Sequence, residues 1–103
     1  MGYRSDVAIA LPKEIFALSP DYIKEDEDAD IVDRGEHVVI LYNDVKWYDD
    51  YAEVSQIMGY LRSLPDDKYG FIRVGEEPGD IEEEGSPDEF NMYTTTHTEI
   101  HYY

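Results

Sequence analysis

Cysteine is absent from the 103 residues. Disulfides, thiol nucleophiles and cysteine-ligated metals are thereby excluded. Cations are scarce: eight Lys and Arg stand against 25 Asp and Glu, a formal net charge of −17. Nucleic acids and anionic membranes recruit proteins through basic footprints, so neither is expected as a direct partner. Long apolar runs are missing as well. The run Val7–Leu11 near the start is bracketed by Asp6 and Glu14. It is far shorter than the core of a secretory leader or the ~20 residues of a membrane span. Gly2 is not followed by the Ser or Thr that myristoylation requires, because Asp6 stands there. A soluble, cytoplasmic protein is the expectation. Neither phosphate-cradling glycine pattern occurs, nor a Gly-x-Ser-x-Gly elbow.

Against the charge stands apolar surface. Hydrophobic residues make up 42% and ten residues are tyrosine, which is enough for a core and argues against disorder. The length fits one domain, residues 1–103. Within it, an acidic, mobile segment 24–36 and an acidic loop 75–89 are expected.

The hydrophobic pattern predicts an α+β fold: a mostly antiparallel sheet of four to five strands with one long and one or two short helices on one face. Tyr3–Leu11 reads as a strand, with Val7, Ile9 and Leu11 on one face and Ala8 and Ala10 on the other. Pro12 ends it and opens a short helix through Leu18. Ser19 and Pro20 read as the N-cap and first residue of another helical turn. His37–Tyr42 reads as a central strand buried on both faces, with Asn43-Asp44 as a turn and Val45–Tyr48 as a partner strand. Asp49 or Asp50 is expected to cap the main helix, which runs to about Leu64 with Tyr51, Val54, Met58 and Leu61 as its stripe. Tyr69–Val74 reads as a strand, Gly75–Pro87 as a loop or loose hairpin, and Phe90–Tyr103 as a long final strand.

The acids fall in two margins. Asp21, Glu25, Asp26, Glu27, Asp28, Asp30, Asp33 and Glu36 are interrupted only by Lys24 and Arg34, and after Arg73 no Lys or Arg follows at all. Two readings are open: a solvated surface that serves solubility, or a surface that imitates nucleic acid and docks on a basic groove. Duplex DNA carries one charge per about 1.7 Å of axis. Carboxylates at alternate strand positions repeat every ~6–7 Å, close to the phosphate spacing along one strand. The candidate partner-binding acids are Glu76, Glu77, Asp80, Glu82, Glu83 and Glu84 in one margin, and Asp26, Glu27 and Asp28 in the other. Trp47, Tyr48 and Tyr51 form a candidate aromatic anchor beside them, since Tyr and Trp are enriched at interface centres.

Metal chemistry finds little support. Asp26-x-Asp28-x-Asp30 opens like a calcium loop, but Ile31 and His37 replace the Gly and Glu such a loop needs. His97, Glu99 and His101 share a strand face, yet the outer two are ~13 Å apart at strand rise, too far to bind one ion together. Paired carboxylates occur throughout, and nothing marks one pair as a tuned acid and base. No catalytic residue, metal site or cofactor is assigned, and the protein reads as non-enzymatic.

Three stretches carry a resemblance: Met1–Val7, Val45–Tyr48, and Tyr69–Glu77 leading into Gly79–Gly85. In the same order along the chain, they resemble a group of small acidic proteins of unassigned function encoded in bacteriophage and prophage genomes. Ser19–Gly35 departs from that pattern. The resemblance carries no catalytic residues. It implies a phage accessory protein of the anti-CRISPR or anti-restriction kind, binding a basic host protein or nucleoprotein complex in the bacterial cytoplasm. An immunity or antitoxin protein that neutralises a basic toxin is the alternative, as is a regulatory or structural phage protein whose charge only serves solubility.

Overall fold

Val7, Ile9 and Leu11 point into one apolar cluster while Ala8 and Ala10 point into a second, so one strand serves two cores. The computed structural model describes residues 2–94 and 100–102. In chain order the elements are β1 (Ser5–Pro12), α1 (Lys13–Leu18), α2 (Asp21–Lys24), β2 (Asp30–Asp33), β3 (His37–Val45), α3 (Ala52–Arg62), β4 (Gly70–Gly75), β5 (Ile81–Gly85), β6 (Tyr93–Thr94) and β7 (Ile100–His101). The first five strands form an antiparallel sheet in the order β2-β3-β1-β4-β5, and β6 pairs with β7 separately. The fold is α+β. No described helix is long and apolar enough to cross a membrane.

All three helices cover one face. Val54, Ile57, Met58 and Leu61 of α3 pack with Ile23 of α2 on Val38, Ile40, Tyr42 and Phe71. This is the stripe expected from the helical period, with Ile57 inside it and Tyr51 left 38% exposed at the margin. The other face is covered by Phe90, Met92, Ile100 and Tyr102 from the C-terminal segment. A β-carbon at Gly70 would stand 2.9 Å from the Pro87 backbone, so bare backbone there lets the cover lie close.

Several local expectations are corrected. β3 is buried on both faces as expected, but β1 holds the middle of the sheet. Asn43-Asp44 does not turn the chain. Ser5 faces Val45 while Val7 faces Tyr42, so two steps on β1 match three on β3, a β-bulge. Asp44 adopts a left-handed φ of +55°, and its N–H donates to Asp6 Oδ1 at 2.8 Å. Lys46–Tyr48 then leave the sheet rather than forming a partner strand. Neither Asp49 nor Asp50 caps α3; the N-cap is Tyr51, which makes no side-chain capping hydrogen bond. Ser19 closes α1 instead of opening α2, its hydroxyl donating to the Phe16 carbonyl at 2.6 Å.

Both acidic segments contain strands. The 24–36 segment includes β2, paired with β3, and the 75–89 loop includes β5, paired with β4. The long final strand is broken: residues 87–90 form a 3-10 turn, and Asn91 at φ +59° reverses the chain before β6. His97, Glu99 and Tyr103 lie outside the described residues.

Candidate interaction surface

The register brings the ends of separate strands together. Ser5 lies between Val45 and Gly75, and Ile81 lies beside Val74, so β1, β3, β4 and β5 all start or finish at one end of the sheet. The connections there are the acidic ones. Two adjoining clefts at this end are lined by six carboxylates, Asp6, Asp26, Asp28, Asp44, Glu53 and Glu76, against two cations, Arg4 and Lys46.

Part of the predicted acidic loop is neutralised internally. Arg73 on β4, only 11% exposed, grips Asp80 with both terminal nitrogens, at 2.7 and 3.3 Å. Its Nε donates to Glu82 at 2.5 Å, and Nη1 also donates to Ser5 Oγ at 3.0 Å. Tyr3 is the second clasp. Its hydroxyl donates to Asp80 at 2.6 Å and accepts the Glu77 N–H at 2.9 Å, while its own N–H donates to the Tyr48 hydroxyl at 2.7 Å. The Arg73 guanidinium, helped by the Tyr3 hydroxyl, holds Asp80 below the usual carboxylate range. The same hydrogen bond raises the Tyr3 phenol. A β-carbon on Gly75 would collide with both the Asp80 carboxylate and the Tyr3 hydroxyl, which is why glycine occupies that position.

Strand alternation settles the remaining acids of β5. Glu82 and Glu84 fall on one side of the strand, and Ile81 and Glu83 on the other. Glu84 takes a bidentate pair from Arg62 of α3, at 3.0 and 2.6 Å, which lowers its pKa. The Arg4 N–H donates to Glu76. Of the six predicted acids in this margin, Asp80, Glu82 and Glu84 therefore carry cation partners, whereas Glu77 and Glu83 are exposed.

The other margin meets the aromatic group. A cleft of about 410 Å³ is lined by Asp26 and Asp28, by Tyr42, Asp44, Val45, Lys46 and Trp47, by Tyr51, Glu53, Val54 and Ile57 of the α3 end, and by Arg4. A second recess of about 310 Å³ continues along α3 past Tyr22, Glu25, Glu27 and Gln56, with no Lys or Arg in its lining. Asp26 is fixed on both oxygens: Oδ2 accepts the Tyr42 hydroxyl at 2.8 Å and Oδ1 accepts the Asp28 N–H at 2.9 Å. Burial, then the hydrogen bond to Asp26, push the Tyr42 phenol far above its ordinary value. Trp47 is largely buried, with its ring centroid 5.2 Å from Tyr42 and 6.2 Å from Phe71. Tyr48 and Tyr51 meet edge-on at 5.0 Å.

Two of the three predicted groups thus converge in part, Asp26 and Asp28 with Trp47 and Tyr51, while Glu27 lines the neighbouring recess. Tyr48 stands behind them as the acceptor of the Tyr3 N–H's bond. Arg4, Asp44 and Glu53 were not singled out by the sequence. Glu53, at the start of the predicted helix, carried a readable signal as an acid one turn from the aromatic group. Tyr3 carried none, because its partners lie 45 to 77 residues away. Among the described residues no group of three or more His, Asp or Glu side chains is placed to hold a metal ion.

Compared with models of protein families, with curated proteins and with solved structures, the chain matches none.

Proposed function

We propose that this protein is a non-enzymatic inhibitor. It docks the acidic end of its sheet on a basic, nucleic-acid-binding surface of a partner, and the partner belongs to a bacterial defence complex of the CRISPR-Cas or restriction type. It works in the host cytoplasm as a competitor of DNA or RNA rather than as a binder of either.

The observation that carries this reading is that carboxylates from separate elements meet beside an aromatic wall at one end of the sheet. Carboxylates from β1, the α2–β2 connection, the β3 bulge, α3 and the β4–β5 turn meet at one end, while Arg62 pairs with β5 and Arg73 with β5 and Asp80 of the turn before it. The aromatic side chains beside these acids add the contact area that interface centres use, which a charge serving solubility alone does not need. Concentrated charge raises the rate at which a cationic partner is captured and makes that rate salt-sensitive.

The test is plaquing. A phage normally restricted by a CRISPR or restriction system is plated on cells expressing this protein. Restored plaquing is expected, with loss of the effect in the Asp26→Lys, Asp28→Lys, Glu53→Lys triple variant. Unchanged restriction across several systems of both types would remove the proposal.

A further inference from the structure

The cleft between the α2–β2 connection and the first turns of α3 has a composition that selects its occupant. One wall is aromatic and apolar, from the exposed Tyr51 over the largely buried Trp47, Val54 and Ile57, and its acids, Asp26, Asp28, Asp44 and Glu53, outnumber its cations, Arg4 and Lys46. Resting on the reading above that the partner is a basic protein, we propose that this cleft receives an arginine side chain of that partner.

Three features favour a guanidinium over other cations. First, the volume of about 410 Å³ is far more than a bare ion fills, and the acids do not converge in a group of three as a divalent ion would need. Second, the wall is mixed. A guanidinium on its aliphatic stem can lie on an aromatic ring and an apolar wall while its N–H fork reaches a carboxylate. A lysine ammonium is a compact, strongly hydrated charge and uses only the carboxylates. Third, the receiving groups are already held. Tyr51 keeps 38% of its surface in solvent while its ring rests edge-on against Tyr48 at 5.0 Å. Asp26 is oriented by the Tyr42 hydroxyl and the Asp28 N–H. Little side-chain freedom remains to be lost on binding. Two cations also line it, Arg4 and Lys46. Arg4 is directed to the Asp44 carbonyl by a 2.9 Å hydrogen bond.

Trp47 is the only tryptophan and lines the cleft, so its emission reports occupancy directly. The experiment titrates the full chain with a capped Gly-Ser peptide carrying one arginine, and with its lysine and citrulline counterparts. The arginine peptide is expected to change Trp47 emission saturably. It should bind about tenfold tighter than the uncharged citrulline form and about threefold tighter than the lysine form. Tyr51→Ala and the exposed Glu53→Gln should each weaken it about fivefold, with the unfolding midpoint of Glu53→Gln unchanged. An unsaturable response, equal binding of citrulline, or wild-type affinity in both variants would overturn the inference. Failure here with plaquing still restored removes only the arginine site. Saturable arginine binding without any effect on plaquing leaves this site standing and removes the proposed target.

Discussion

Arg73→Met is the perturbation that weighs most on the acidic β4–β5 segment, because Arg73 is the largely buried cation that pairs with two of its acids. Its side chain is 11% exposed, and its partners Asp80 and Glu82 are 33% and 51% exposed. Breaking a fully buried pair costs about 3–5 kcal/mol, and breaking an exposed one about 0–1. The Arg73–Asp80 pair lies between these limits and nearer the buried side for the arginine alone. The half-exposed Glu82 contact adds little. The expected loss is about 2 kcal/mol, roughly a thirtyfold fall in the folding equilibrium. For a chain of this length that lowers Tm by about 8–16 °C. Urea unfolding followed by Trp47 fluorescence measures it. Two controls identify the cause. Added salt should recover part of the loss, because the exposed acids left behind repel through screened solvent. The difference from wild type should also vanish in acid. Asp80 has a depressed pKa in the folded state, so its contribution is present above the ordinary carboxylate value and is lost as pH falls through the folded one. A loss under about 0.5 kcal/mol at low salt, or one that persists in acid, would refute the reasoning.

Met58 is 4% exposed in the helix-side core, so Met58→Ala should cost about 2–5 kcal/mol in the same urea assay. Tyr42→Phe removes one hydrogen bond to Asp26 and should cost about 1 kcal/mol. Amide exchange at residues 26–29 should then rise, and unchanged protection there would show that the tether does not hold the segment. His37 Nε2 is buried and has no hydrogen-bond partner among the described residues, beside the Phe90 ring at 5.5 Å. Burial, with Arg34 adding to it and Glu36 opposing it, lowers the His37 pKa. Its neutral form therefore supports the fold fully above about pH 6.5, and that support is lost as pH falls through the folded value. Between pH 7 and 5, wild type should lose more stability than His37→Phe; parallel curves would contradict this.

The helix-side core was legible because strand and helix periods are local, whereas the cover over Ala8 and Ala10 was not. Val7, Ile9 and Leu11 against Ala8 and Ala10, and Val54, Met58 and Leu61 along α3, declare their faces within a few residues. Pairing was not legible. Ile81–Gly85 is dominated by glutamates and has little strand propensity. As β5 it pairs with β4, where Arg73 on the neighbouring strand and Arg62 on α3 neutralise Glu82 and Glu84. Asn43-Asp44 carries the residues of a turn, and its left-handed Asp44 serves a bulge instead, since Asp6 across the sheet holds its N–H. The same limit applied to the candidate surface. Sequence set the aromatics beside the acids without saying which acids they meet, and the fold joins Asp26 and Asp28 to Trp47 and Tyr51 while pairing Asp80, Glu82 and Glu84 with arginines.

The most direct measurement of the central claim is displacement. A fluorescent duplex is bound to purified CRISPR effector or restriction complexes, and its anisotropy is followed as this protein is added at rising salt. Anisotropy should fall to the free-duplex value with at least one complex. The displacement should weaken as salt rises and be lost in the Asp26→Lys, Asp28→Lys, Glu53→Lys variant. Duplex that stays bound to every complex, or displacement that the triple variant performs as well as wild type, would contradict the account.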